Sequence, residues 1–541
     1  MVRVPSTATR REFLATSSLA VAGLALASPR RLFAIPARAR QSVGSFAPQL
    51  IDPETLRQFA RSAIDAATHA GATFADVRVS DRRQYSPGGP GNEGYLSFNF
   101  GCGVRVRVGE HEAFAATGDP TPDSVARAAR AAVATARALS AVSAPPAPLL
   151  PTPPATGEWV SPREIDPFTV SPDEHAFVQS GYTTFGRKHG VTIGGGIAWG
   201  DETRVFASSD GALITQRKTT GSPYFRVEFR SWRTLRLLNW ITVPTFSSCT
   251  AGFELALGPE CHARFETAVD ELAELMTYPF DFAEVGRRDV VLDGHAFGAL
   301  VGGTLMPALS LSRVLNEDQD SVGTSFLSPP ESIVGQALLS PLLNMGVVQG
   351  APHHGAAQWD DEGAVATSFP LIERGAVVNY LGTRATLAEL PNGVKPRTSP
   401  GIAFASEVMT LPGARPGTLG VQPNATGESF AELVKSLGNG YIVRNAWAEV
   451  DQQASSGTLH PYIMFEVRQG KIVRRVIKGR LEFASKKVLS ALASLGNESS
   501  LCPATGSVSG GMPWSNTEYV ITAPAAIIRD VNIASNHASF G

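Results

Sequence analysis

The sequence predicts an α+β fold of mixed β-sheets with flanking helices, and three observations predict it. Stretches such as Asp76-Val77-Arg78-Val79-Ser80 and Val104-Arg105-Val106-Arg107-Val108 alternate polar and apolar residues with the period of two expected of a half-buried strand. Longer stretches at 52–70, 122–139 and 260–276 carry apolar residues at helical spacing. The 52 glycines and 38 prolines interrupt these stretches often, which suits many connected strands and helices better than a helical bundle.

The first 40 residues read as an address rather than as fold. Thr9-Arg10-Arg11-Glu12-Phe13-Leu14 looks like a twin-arginine export motif, and a mildly apolar run from Leu14 to Ala27 follows. That run is too short and too rich in Ala and Gly to span a bilayer stably as a helix. Small-residue cleavage sites lie around Ala34 or Ala37-Arg38-Ala39. A stray Arg pair before a core helix is the other reading, but the order basic, apolar, small is complete. The expectation is export in a folded state by the twin-arginine route, to the periplasm or the cell exterior. No later stretch is apolar enough for a stable membrane span.

Residues 48–142 form a first α/β segment. A helix over 52–70 puts Leu56, Phe59, Ala60 and Ile64 on one face, strands follow near 76–80 and 104–117, and an Ala-rich helix runs from Pro122 to Leu139. Arg105 and Arg107 read as a solvated strand face, with an anion site as the competing reading. Residues 143–168 are rich in proline and read as a linker or a surface crossing. Residues 169–285 form a middle α+β segment. In it Phe206 to Gly211 is a strand entering a turn, Arg226 to Trp240 carries strands, and Phe265, Val269, Leu272 and Leu275 mark a helix over 260–276. The adjacent Cys261 and His262 are taken as helix-start surface, because neighbouring positions on a helix do not share a face.

Residues 286–535 carry the most telling blocks. Ser312-Arg313-Val314-Leu315, Gly323 to Leu327 (GTSFL), Trp359-Asp360-Asp361-Glu362-Gly363 and Leu371-Ile372-Glu373-Arg374-Gly375 together resemble the TldD/PmbA metallopeptidase family. Weaker matches are Tyr380-Leu381 with Arg384 and Ala385, Gly440 to Val443, and Phe465 to Ile472. The resemblance covers nearly all of the chain beyond the signal and the linker. It implies a TldD/PmbA-like fold with an active-site helix over 300–315 carrying a His-Glu-x-x-x-His motif. Here the first His falls on Gly302, the Glu on Gly303 and the second His on Pro307. Glycine has no side chain and proline no lone pair to offer a metal, and a Glu beside the metal would serve as general base. Two glycines and a proline also predict a shortened or broken helix. Cys502 falls where the family places a metal-binding cysteine, so it is the one candidate metal ligand the resemblance leaves. A single thiolate does not hold a catalytic zinc.

Other ligand types are weighed against plainer roles. His353 and His354 precede Asp360, Asp361 and Glu362, the densest ligand-type cluster in the chain, yet Pro352, Gly355 and Gly363 suit turns. His295 sits two helical turns before Gly302 and reads as a satisfied histidine. Four scattered cysteines, Cys102, Cys249, Cys261 and Cys502, form no CxxC pair, and their pairing is not readable. There is no GxSxG elbow and no phosphate-binding loop. A net charge of -2 gives no reason to propose nucleic acid as a partner.

Three functions follow. The resemblance implies a heterodimer in which one subunit carries the metal and a sister of the same fold lacks the motif. This chain fits the sister, a non-catalytic subunit that helps bind peptide substrates and needs no cofactor. A homodimer is the other assembly considered. The alternatives are a stand-alone metallopeptidase with zinc or iron on rebuilt ligands (His353, His354, Asp360, Cys502) and an exported peptide-binding protein.

Overall fold

The computed structural model describes residues 47–88, 94–142, 145–228, 240–242, 248–317, 323–350, 352–451, 453–510 and 515–535. The first 40 residues, expected to be an export signal, most of the 229–240 strand region and the side chain of His262 lie outside the described residues.

Helix α1 (Pro53–His69) starts where Asp52 accepts from the Glu54 and Thr55 backbone N–H groups, and helix α2 (Pro122–Leu139) where the Thr121 hydroxyl accepts from Ser124 N–H at 3.3 Å. Each has Pro in its first turn, where no intrahelical N–H is needed. Their apolar stripes (Leu56, Phe59 and Ala63; Val125, Ala129 and Val133) bury against one face of a seven-stranded sheet. That sheet contains β1 (Phe74–Ser86), β2 (Tyr95–Val108), β3 (His111–Thr117), β4 (Thr156–Val160), β5 (Thr192–Ser208), β6 (Leu213–Glu228) and β7 (Trp240–Thr242). Its order is β3-β2-β1-β5-β6-β4, with β7 on β6. Strands from both sides of the proline-rich stretch therefore share one sheet, and that stretch itself supplies the edge strand β4. Helix α3 (Pro172–Lys188), with a Ser171/Glu174 capping box, and helix α4 (Pro259–Thr277) pack aromatic residues against the sheet's far end through Tyr182, Phe225 and Phe265.

The rest of the chain builds two more sheets. One joins β8 (Phe280–Phe282), β9 (Gly286–Leu292), β16 (Gly440–Val450), β17 (Ser456–Arg468), β18 (Lys471–Ile477), β19 (Gly479–Ala484), β20 (Leu492–Leu495) and β23 (Ala526–Ser535). Its pairing closes on itself: β16 bonds to β9, β9 to β23, β23 to β19, β19 to β17, and β17 back to β16. The other has six strands, β10 (Met345–Val347), β11 (Phe369–Glu373), β12 (Ala376–Val377), β15 (Thr418–Val421), β21 (Cys502–Gly510) and β22 (Ser515–Ala523). A two-stranded hairpin, β13 (Ala403–Phe404) and β14 (Gly413–Ala414), lies apart.

Between these two sheets runs helix α5 (Gly294–Ala308), packed against β16 on one side and β21 and β22 on the other. It is continuous, which corrects the expectation of a broken helix. Gly costs about 1 kcal/mol and Pro about 3 in a helix interior. Burying each of Phe297, Leu300, Val301 and Leu305 contributes roughly 1.5–3 kcal/mol in the opposite direction. Pro307 also sits in the last turn, where few bonds remain to be broken. The Ser325 hydroxyl of the GTSFL turn donates to the Ala308 carbonyl at 2.6 Å and closes the helix end. Among the described residues no helix is long and apolar enough to cross a membrane.

The first sheet meets the C-terminal unit through buried charge. Arg105 donates from Nε to Asp76 at 2.9 Å and from Nη1 to Glu362 at 2.8 Å, with all three residues buried. Arg204 pairs with Asp361, which also accepts from the Ala405 N–H at 2.8 Å. The solvated strand face expected for Arg105 is thus incorrect, because the polar side of the strand is covered by another part of the chain. Arg107 does keep a half-buried, locally paired position, with Glu112 at 3.0 Å. Replacing one member of a buried pair leaves the other charge stranded, at a cost of about 3–5 kcal/mol. Arg105→Met is expected to lower the denaturation midpoint far more than Arg107→Met. Equal midpoints for the two variants in a denaturant titration would show that the Arg105 network holds nothing together.

Candidate functional site

The three motif positions occupy the middle and end of α5, with Gly302 and Pro307 buried and Gly303 half-buried. A Cβ added at Gly302 would lie 2.7 Å from the Tyr519 ring carbon Cε2 and 2.8 Å from its hydroxyl. One added at Gly303 would lie 2.9 Å from the Ala448 Cβ. The glycines let β22 and β16 approach the helix, and the Tyr519 ring fills the space a ligand side chain at 302 would need. Tyr519 is itself 3% exposed, and burial pushes its hydroxyl pKa well up. The residues present do not fit a metal here: the donors are missing and their room is taken.

Cys502 stands at the other end of the helix. Its backbone N lies 2.8 Å from where a Cβ on Gly294 would be, Ala504 lies beside Gly298, and Tyr519 beside Gly302. Eight residues of helix separate Gly294 from Gly302, about 12 Å of rise. Burial raises the Cys502 thiol well above its usual range, and the nearby Asp293 and Glu271 push the same way. His295 is buried and held down to about 4 by that burial, and its Nδ1 accepts from the Ala446 N–H at 3.3 Å. It is a neutral core histidine. His353 forms an isolated bridge to Cys249, while His354 lines a cleft with Arg82 and Lys218. Asp360 is spent on the backbone, accepting from Glu362, Ala364 and Ala403 N–H groups at 2.9–3.0 Å, and burial and Glu362 push its carboxyl up. The four residues of the rebuilt-ligand alternative are not brought together. Among the described residues no three His, Cys, Asp or Glu side chains converge as a metal site would require.

A half-buried acid pair escaped the sequence reading. Asp293 caps α5 by accepting from Ala296 N–H at 2.7 Å and also from Asn445 N–H, while the Asn445 amide donates to Glu271 at 3.3 Å. Burial raises Asp293 to about 6, and burial with Asp293 nearby raises Glu271 to about 7. The three residues come from α4, α5 and β16, so no local spacing announces them. Only the capping position of Asp293 before an apolar run was visible.

Two comparisons bear on this architecture. The family model described as PmbA/TldA metallopeptidase C-terminal domain matches residues 285–535, and the one described as PmbA/TldA metallopeptidase domain 1 matches residues 93–136. The chain belongs to the PmbA/TldD metallopeptidase family. Solved structures agree in fold. A protein described as a putative modulator of DNA gyrase, from Bacteroides thetaiotaomicron, superposes with a TM-score of 0.66 at 13% identity, covering 89% of this chain and 99% of its own. A protein of the same title from Thermotoga maritima gives 0.66 at 16%, covering 88% and 99%. TldE from Thermococcus kodakarensis gives 0.64 at 15%, covering 88% and 100%. A search of curated proteins finds no match. At these identities the likeness to the solved structures is one of fold, and the α+β reading with mixed sheets and flanking helices agrees with them.

Within this PmbA/TldD-family chain, overpacking at the helix is measurable. Gly302→Ala and Gly303→Ala are each expected to cost about 1–3 kcal/mol. Gly194→Ala, where nothing lies within 4 Å of the added carbon, serves as the control. A thermal melt that leaves Gly302→Ala level with that control would show the Tyr519 contact to be slack.

The acid pair sets a pH dependence with a defined sign. Both carboxyls hold their protons more tightly when folded, so the folded state binds more protons than the unfolded one. Their contribution is full below the ordinary carboxyl range and fades as pH rises through the folded values of about 6 and about 7. Glu271→Gln is expected to gain stability relative to the unaltered chain as pH rises from about 5 to about 8. Parallel stability–pH curves for the two proteins would rule out the raised Glu271.

Proposed function

We propose that this chain is a non-catalytic subunit of a PmbA/TldD-type proteolytic assembly. It pairs with a second chain of the same fold that carries the metal, and it contributes peptide-binding surface and the dimer face. The observation that carries this reading is the state of α5: Gly302, Gly303 and Pro307 supply no metal donor and no general base, and Tyr519 and Ala448 pack into the space beside the glycines. Conserving a helix as scaffold while filling its reactive face suits a partner subunit better than an enzyme in its own right. The fold shared with a protein titled TldE supports the same assignment. The twin-arginine-type sequence at Arg10-Arg11 fits a pair that assembles before export, because that route carries folded proteins, and it supports a location in the periplasm or outside the cell.

The test is elemental analysis of the mature chain expressed without a partner, with a peptidase assay alongside. Substoichiometric metal and no turnover are expected. Turnover and peptide cleavage are expected to appear when a PmbA/TldD-family chain with an intact His-Glu-x-x-x-His motif is added. Cys502→Ser is expected to leave the activity of that complex nearly unchanged. Stoichiometric zinc or iron with turnover by the single chain would sink the subunit reading.

A further inference from the structure

A cleft of about 580 Å³ lies between the first sheet and loops of the C-terminal unit, within the ~300–1,000 Å³ of small-molecule sites. We propose that this cleft is a carboxylate site that holds the free C-terminus of a short peptide. The proposal rests on the function proposed above for its ligand class, and it names the part of the peptide that is recognised.

Strand register builds the floor. Arg82 lies opposite Glu202, and Glu202 opposite Lys218, so a cation, an anion and a cation form one row across β1, β5 and β6. In the next row the corresponding position is Gly200, opposite Gln84 and Thr220, so the floor beside the charges is low. Glu202 accepts from the Ser80 hydroxyl at 2.5 Å and from Arg204 at 2.7 Å, and Asp361 is held by Arg204 and the Ala405 N–H. Of the other carboxylates that line the cleft, Asp201 is held by Arg83 and Arg217, and Glu518 accepts from the Ser248 hydroxyl at 3.3 Å. Among the described residues neither Arg82 nor Lys218 reaches a carboxylate at ion-pair distance, and both line the cleft.

The roof carries an independent sign of a missing ligand. His354 Nδ1 is buried and has no hydrogen-bond partner. Burial lowers the imidazole to about 4, and the charges of Lys218 and Arg82 press in the same direction, so the two cations act on the ring across the cleft. A carboxylate set among the three groups would accept from the ammonium and the guanidinium and give Nδ1–H an acceptor. Trp159 and Phe404 line the same cleft and offer an apolar wall for the side chain next to that carboxylate. A compact inorganic anion would use the charges and leave this wall uncovered, which is why a peptide end is the better occupant.

The experiment titrates N-acetyl-alanyl-phenylalanine, as the free acid and as its C-terminal amide, into the full mature chain. Calorimetry and tryptophan emission report binding, since Trp159 and Trp199 line the cleft. The acid is expected to bind and the amide to bind about tenfold or more weaker. Lys218→Met and Arg82→Gln are each expected to weaken the acid by about tenfold, and Lys218→Arg to restore it. Equal affinity for acid and amide overturns the site, as does failure of both to bind. Binding of inorganic phosphate with no binding of the acid overturns the peptide class. The acid–amide comparison needs no variant, so a poorly folding substitution leaves the test intact. No partner and no turnover enter the measurement. A metal-loaded, active single chain would sink the subunit reading and leave this binding result standing, and an inert, metal-free chain that binds no acid would sink the site alone.

Discussion

The buried charge network at the Asp360–Gly363 turn is the constraint on which the arrangement of the molecule depends. Arg105 joins Asp76 of its own sheet to Glu362, Arg204 joins Glu202 to Asp361, and Glu362 also accepts from the Arg384 N–H at 2.6 Å. Taking these charges out of water is expensive, and the expense is offset only while every partner stays in place. That makes the junction between the first sheet and the C-terminal unit all-or-none rather than graded. It also explains why the turn is built from three acidic residues and a glycine. Asp360 serves the turn's own backbone, Asp361 and Glu362 face the arginines, and Gly363 adopts φ +80°, which other residues rarely take.

The same network shows what a sequence pattern conveys and what it leaves out. Alternation in 76–80 and 104–108 assigned the strands and told which residues share a face. It did not tell what covers that face, and Arg105 was placed in solvent for that reason. Helices α1, α2 and α4 were legible because each has an amphipathic stripe against one surface. Helix α5 is buried all round except at Ala299 and Gly303, so its stability comes from neighbours on both sides that no local window contains. Propensity arguments from Gly302, Gly303 and Pro307 failed there because packing overrode them. The Glu271–Asp293–Asn445 cluster and the Arg82–Glu202–Lys218 row were invisible for a related reason: strand register and helix docking assemble them from distant segments.

The absence of metal donors at 302, 303 and 307 is matched by packing around the two glycines. In a helix held open for a ligand, small residues would leave a void. Here the approach of β16 and β22 has closed that void, with Ala448 against Gly303 and Tyr519 against Gly302. Reintroducing imidazoles at 302 and 307 and a carboxylate at 303 would meet this packing before it met a metal, since interiors are close-packed and resist added volume. The helix joins two sheets through this packing.

Strand β22 ties that change to the cleft. Successive side chains of a strand point to opposite faces. Tyr519 turns toward α5, and its neighbour Glu518 lines the cleft that Arg82 and Lys218 also line. One strand thus has its closed side on Gly302 of α5 and its open side on the charged cavity. The first is fixed by packing volume and the second by the ion network of the first sheet, and these are independent physical demands. A chain can fill the metal position without disturbing the cleft, because the period of the strand keeps the two surfaces apart. The subunit proposed above, with a peptide end in the cleft and no metal on α5, requires that separation.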